Sequence, residues 1–535
     1  MTIISRHTRN YLRRAIGNRR HLSVLQTAVL DTVEAHRRRA EKLCHAPPTI
    51  RAIPDDAGEN VGNAGAFIRP IGCSRRVFLM NPYLTPDELE GLAYRIRVLS
   101  SNEALNSVLI ATDDDDPAET GAMPSSLLEV EALRGQDIND SWLFDPKPGQ
   151  VWHAAGGYDP LAWYTSGKYK DPIAVASLLE SIQDLAMATK GHATRSRIPI
   201  ITIPHGAVTD SGYALCLSSY MIATEQTHFR ISNPSRGLTF DPVGFSFILP
   251  RLGEEFKQPC ARFKGCGLIL GLMGYEASPE DMVETGLATH YMSNPTAVMG
   301  MLERTLAQLP PWNQQEYTKK PKRTEEERQR FKYRPPEEVP DHNAQFRNVA
   351  VASTIHAFTE YHADGSASWD LITENDEETY PAAYDFDPVP WQDDRESAVI
   401  DYAATFDEIF CSNLGLEGIL EGFRDVAGRV TKDPDEQEGI DVAADFVRRL
   451  EEQAPLALRV TYKLMHMGKS KRETIESCMK RERVAQARMM AKPDFENWAK
   501  AQLTGSGSTK FTNWKHQSIT DVTEDEVLEI IGMDT

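Results

Sequence analysis

At 535 residues, with 41% hydrophobic and 25% charged residues, the chain has the composition of a soluble globular protein and the length for two or more domains. A net charge of −20 disfavours a general nucleic-acid-binding surface, and no stretch approaches the apolar length of a membrane span. The seven cysteines (Cys44, Cys73, Cys216, Cys260, Cys266, Cys411, Cys478) are scattered; Cys260 and Cys266 lack the paired spacing of a zinc site, so all read as reduced thiols.

The N-terminus departs from the acidic average. Arg6, Arg9, Arg13, Arg14, Arg19 and Arg20 precede the first acidic residue, Asp31. An Arg-rich, acid-free, amphipathic start reads as a mitochondrial presequence over residues 1–40, with a basic arm touching an anionic partner as the alternative. Residues 41–72 read as a Pro/Gly/Asn-rich linker, and the folded region is expected from about Cys73 to residue 311. A strand there leads into a helix predicted over Pro86–Leu99, with Thr85 as its cap and Glu88 as the capping-box partner. A strand follows at Ser107–Ala111. The segment at about 113–150 opens with four aspartates, holds few apolar anchors and reads as a surface insertion.

The stretch from Arg197 to Leu252 carries most of the chemistry. Pro199–Pro204 is a β-branched apolar run, predicted as a buried strand. His205-Gly206 breaks it, and the small-residue turn Thr209-Asp210-Ser211-Gly212 follows. The apolar run Tyr213–Met221 predicts a helix starting at that turn, whose unpaired N–H groups could face an anion or a polarised carbonyl. A second strand, Thr227–Ile231, leads into the polar loop Ser232–Asp241, which presents Asn233 and Asp241.

Further on, Ser278 is a predicted N-cap with Asp281 three residues later. His290, alone beside an apolar strand, reads as structural. Residues 312–400 read as charged and acidic insertions, with two distinct segments. Lys319–Glu338 is a Pro-flanked linker or solvated helix. Gly365–Asp394 is acidic with interspersed aromatics, either a loop that wraps a partner or an ill-ordered insertion. From about residue 401 to the end the pattern is helical. Phe446, Leu450, Leu456, Leu458, Val460 and Leu464 keep helical spacing around a break at Pro455.

The succession HG, small-residue turn, ATE, carboxylate loop and FILPRL resembles the enoyl-CoA hydratase/isomerase (crotonase) superfamily, and within it the 3-hydroxyisobutyryl-CoA hydrolases. The resemblance runs from about Cys73 to Ile531, broken by insertions. It implies an α/β fold: a crotonase-type spiral of ββα units with a helical C-terminal region. The family's Ala-Gly-Gly-Asp loop corresponds to Ala155-Gly156-Gly157-Tyr158, and its Gly-Gly-Gly turn to Asp210-Ser211-Gly212. These two segments would form an oxyanion hole, with the backbone N–H groups of Gly157 and Ser211 as donors and Gly156 and Gly212 beside them.

The family's Pro-Glu pair falls at Ser232-Asn233, its catalytic Asp at Asp241. The register of that loop leaves Pro234 or Ser235 as alternatives to Asn233, and none of the three is a carboxylate. An amide cannot accept the proton that general-base chemistry moves. The resemblance therefore implies an acyl-CoA thioesterase of mitochondrial valine breakdown with a degraded site and low or lost activity. A coenzyme A thioester would be the substrate, with no other cofactor, and homo-oligomerisation is left open. Relatives of this family also serve in the mitochondrial small ribosomal subunit, so a non-catalytic component of that assembly is the alternative reading.

Overall fold

The computed structural model describes residues 66–79, 84–102, 104–111, 157–190, 198–204, 206–252, 265–293, 295–309, 311, 351–352, 354–361, 397–411, 415–470, 472–504 and 513–533. The N-terminal arm, most of the linker and the segments at 113–150, 319–338 and 365–394 lie outside them.

Among the described residues, seven strands form one largely parallel sheet in the order β1-β2-β3-β4-β6-β8-β9. The sheet opens with an antiparallel hairpin, β1 (Ala66–Ile71) and β2 (Ser74–Leu79), so the fold begins before Cys73, which lies in the hairpin turn. The arginine and proline within AFIRPI weaken its strand pattern, and pairing with β2 decides it. Helix α1 (Pro86–Ser100) then carries the chain to β3 (Ser107–Ala111), parallel to β2. The expected capping box is present, with the Thr85 side chain accepting from Glu88 N and Glu88 returning to Thr85 N; such a cap stabilises a helix by about 1 kcal/mol. After α2 (Pro160–Thr165) and α3 (Pro172–Lys190), β4 (Ile200–Ile203) pairs parallel with β3.

Every residue of β3 and β4 is buried. Parallel strands covered on both faces need such runs, and successive residues serve opposite cores. Val108 and Ile110 pack into the larger core with Leu92, Ile96, Leu178 and Ile182 of α1 and α3. Leu109 and Ala111 face a smaller core with Leu302 and Leu306 of α7 (Pro295–Gln308).

Beyond β4 the chain turns out of the main sheet. β5 (Ala207–Thr209) pairs parallel with β7 (His228–Arg230) as a separate two-stranded sheet, while β6 (Tyr220–Thr224) returns to the main sheet between β4 and β8 (His290–Met292). The helix expected over Tyr213–Met221 is absent. A 3-10 helix covers Asp210–Leu215, and Tyr220 and Met221 open β6. The apolar residues of this run are all buried, so their hydrophobicity is satisfied equally by a strand between two parallel neighbours.

Short helix α4 (Phe245–Ile248), α5 (Gly265–Leu272) and α6 (Pro279–Glu284) follow, α6 with its capping box between Ser278 and Asp281. β9 (Glu360–Tyr361) pairs antiparallel with β8, and Val351 and Ile355 enter the smaller core. Residues 351–361 are therefore part of the fold, although they fall inside the segment read as charged insertion; their apolar positions four apart give them a helical face to bury.

The C-terminal region is helical: α8 (Ala398–Thr405), α9 (Asp407–Phe410), α10 (Gly415–Ala427), α11 (Pro434–Glu452), α12 (Pro455–Gly468), α13 (Ile475–Met490), α14 (Pro493–Leu503) and α15 (Glu524–Ile531). Phe446, Leu450, Leu456, Leu458, Val460 and Leu464 are all buried, on either side of the expected break before Pro455. Helices α12 and α13 pack against α4, which ties this region to the core beside Asp241.

Candidate active site

Three loops and one helix converge. The loop before α2 brings Gly157 and Tyr158, held by a hydrogen bond from Leu84 N to Gly157 O (2.9 Å). The 3-10 turn after β5 brings Asp210, Ser211 and Gly212. A second 3-10 turn, Asn233–Arg236, brings Asn233 and Arg236 and is followed by Asp241. Helix α13 contributes Glu482 and Gln486.

The first two loops meet face to face. A Cβ added at Gly157 would lie 2.9 Å from Ser211 Oγ and 3.1 Å from Gly212 N, so only glycine permits this approach without displacing the neighbouring turn. Tyr158 N donates to Ser211 Oγ at 3.1 Å. Gly157, Ser211 and Gly212 thus adjoin, as the resemblance implies; Gly156 lies outside the described residues.

Asp210 is the one non-glycine residue with positive φ (42°) among those described. Its carboxylate repays that backbone strain. Oδ1 accepts from Ser232 N (2.9 Å) and Asn233 N (3.1 Å), and Oδ2 accepts from Arg236 (3.1 Å). Burial raises the Asp210 carboxyl above its usual range, against the pull of Arg236 and the two backbone donors.

Asp241 is fully buried. Its Oδ2 accepts from Asn233 Nδ2 (3.1 Å) and its Oδ1 from Gln486 Nε2 (3.0 Å). The other Asn233 N–H goes to Thr239 O (2.9 Å), and Gln486 Oε1 accepts from Thr239 N (2.9 Å). Because Thr239 O can only accept and Thr239 N can only donate, both amides are fixed in orientation. Burial, then the charge of Asp210, raises the Asp241 carboxyl to about 7, against the two amide donors. The Tyr158 hydroxyl is buried beside Asp241 and Gln486 and makes no well-formed hydrogen bond among the described residues; Asn233 Oδ1 likewise has none.

The chemistry of this arrangement is restrictive. Both N–H groups of Asn233 are committed, and each oxygen of Asp241 holds an amide donor. A base that is to take a proton from water must present an oxygen to that water. Here each oxygen already accepts from an amide, and Asp241 is fully buried, so what is left of its acceptor capacity does not face solvent. One shell further, Glu482 accepts from Gly244 N (2.8 Å), Ser246 N (2.6 Å) and Ser246 Oγ (2.7 Å), and burial raises it to about 7.

The polar network of Asp210, Asn233, Asp241, Glu482 and Gln486 is almost wholly internal. Gln486, Glu482, Arg236 and Tyr158 were not singled out from sequence as site residues. Gln486 and Glu482 lie more than two hundred positions from Asp241; the available signal was two polar residues, four apart, on the otherwise apolar face of α13. His290 is apart from the site, buried and stacked on His356 with ring centroids 5.0 Å apart, its imidazole held neutral by burial. A cavity of about 520 Å³ lined by Tyr275, Tyr402, Glu438 and Phe446 contains none of the site residues. Among the described residues there is no cluster of three or more metal-ligating side chains, and no helix long and apolar enough to cross a membrane.

A sequence profile of the enoyl-CoA hydratase/isomerase family matches residues 184–375 and 370–531, well over half of the chain. The chain belongs to the enoyl-CoA hydratase/isomerase family. Its fold is similar to that of a carnitinyl-CoA dehydratase from Mycobacterium thermoresistibile (TM-score 0.54, 16% identity, 88% of this chain and 96% of that one). It is likewise similar to an enoyl-CoA hydratase from Rhodobacter sphaeroides 2.4.1 (TM-score 0.51, 15% identity, 87% and 97%). No curated protein matches the sequence. The architecture is the crotonase-type α/β spiral with a helical C-terminal region. Within this family framework, the contact of the Gly157 and Ser211 loops and the buried Asp241 locate the candidate site.

Proposed function

We propose that this family member descends from a 3-hydroxyisobutyryl-CoA hydrolase and has lost nearly all thioester hydrolysis. The observation that carries the reading is the closure of Asp241 by two amides, Asn233 and Gln486. The resemblance puts the missing carboxylate at Asn233. Replacing a general acid or base lowers rates by about two to four orders of magnitude. The test is release of free coenzyme A from 3-hydroxyisobutyryl-CoA by the purified chain. The expected result is release at the uncatalysed background; turnover by the unaltered chain at ordinary enzyme rates overturns the reading.

A chain without turnover keeps the fold as a binding or structural part. The assembly proposed is the mitochondrial small ribosomal subunit, in line with the relatives of the hydrolase family named above. The arginine-rich start, Arg6 to Arg20, supports import into the matrix. A fusion of residues 1–40 to a fluorescent protein should enter mitochondria, and co-sedimentation of the endogenous chain with the small subunit should follow. A diffuse cytosolic signal contradicts the import step, and sedimentation as a free protein contradicts the assembly.

A further inference from the structure

Proton transfer at Asp241 is one requirement of the site, and entry of a ligand is another. The gap between the Gly157 loop and the Asp210–Gly212 turn is where the thioester oxygen would sit if the two loops acted as the resemblance implies. In this chain that gap contains the hydroxyl of Ser211. Ser211 Oγ accepts from Tyr158 N and lies within van der Waals contact of the Gly157 Cα hydrogen position, where an added Cβ would be 2.9 Å away. Ser211 is 3% exposed, so the hydroxyl is enclosed.

Two neighbours hold it there. Asp210, at positive φ, is locked to Ser232, Asn233 and Arg236, which fixes the start of the turn. Gly212 N lies against the same position of Gly157, 3.1 Å from an added Cβ. The Tyr158 side chain, part of the larger core, is buried with its hydroxyl near Asp241. With Oγ hydrogen-bonded to Tyr158 N between the two loops, a carbonyl oxygen directed at the N–H groups of Gly157 and Ser211 meets this hydroxyl.

We infer that Ser211 is the specificity-determining residue of this site: its hydroxyl serves as an internal oxygen ligand between the loops, and so removes recognition of a thioester carbonyl. Any residual affinity for coenzyme A derivatives then comes from parts of the ligand other than the acyl oxygen. The inference goes beyond the loss of turnover, since a site can lose its base and still bind the carbonyl.

The experiment compares two ligands by calorimetry on the full-length chain: acetyl-CoA, and S-ethyl-CoA, which is a thioether with no carbonyl. The unaltered protein should not prefer acetyl-CoA. Ser211→Gly should prefer it by on the order of tenfold, the worth of one good hydrogen bond to a polarised oxygen. Ser211→Ala, which keeps a small side chain and removes only the oxygen, should gain a smaller preference and covers the case in which the glycine variant does not fold. Circular dichroism establishes folding of each variant. A preference for acetyl-CoA in the unaltered chain equal to that of the variants overturns the inference, as do folded variants that gain none. Coenzyme A release, read in parallel, reports on the hydrolytic reading independently.

Discussion

Asn233 and Asp241 show how an amide at one position shapes the role of its neighbour. An ionised pair at these positions would repel, and one member would hold a proton and face solvent or substrate. The amide instead donates to Asp241 and to Thr239 O, and Gln486 closes the other oxygen. Asp241 becomes a buried acceptor at the centre of a network.

Its titration has a defined sign. The folded carboxyl, raised to about 7 chiefly by burial, holds its proton where the unfolded chain has lost it. The associated stability is fully present below the unfolded value, near 4, and is lost as pH rises to about 7. Asp241→Asn should therefore flatten the pH dependence. The stability of the unaltered chain relative to this variant should fall by about 2–4 kcal/mol between pH 4 and 8, read by urea unfolding at each pH. A difference that is constant with pH would show that Asp241 is ionised throughout.

At the scale of elements, helix α13 fastens the C-terminal region to the core. Glu482 accepts three hydrogen bonds from Gly244 and Ser246, at the start of α4. Glu482→Ala leaves buried donors unpaired and should destabilise by about 3 kcal/mol or more, with Glu482→Gln costing less. Equal midpoints in urea for the two variants would contradict that role. Helix α12 reaches α4 equally closely: a Cβ at Gly468 would run into the Ser246 carbonyl oxygen. Gly468→Ala should force the helices apart and lower the thermal midpoint by several degrees, since overpacking typically costs about 1–3 kcal/mol.

Elements with local signatures were legible in the sequence. The capping boxes at Thr85 and Ser278, the buried strands at 107–111 and 200–203, and the break before Pro455 all rest on residues within a few positions of one another. The run after Gly212 was not, because an apolar segment of that length satisfies a helix or a buried strand equally, and only the flanking strands β4 and β8 select the strand. The site was half legible. Order and spacing pointed to Gly157, Ser211, Asn233 and Asp241. The side-chain oxygen of Ser211 between the loops and the Gln486 amide on Asp241 depend on tertiary contacts that no local pattern encodes.

Across the whole molecule, the crotonase spiral and its helical C-terminal region are retained while the polar centre is turned inward. The larger core runs without interruption from α1 through the site loops to α15, so the C-terminal helices are part of the body that encloses Asp241. The chain's proposed role then lies in what its outer surface contacts, with the site as internal support.

The most direct test of this account is the rate of coenzyme A release from 3-hydroxyisobutyryl-CoA by the unaltered chain and by Asp241→Asn, side by side. The same background rate is expected for both, because Asp241 is buried among amide donors and position 233 holds no second carboxylate. Robust release by the unaltered chain that Asp241→Asn abolishes would contradict it, and would make Asp241 a working base despite Asn233.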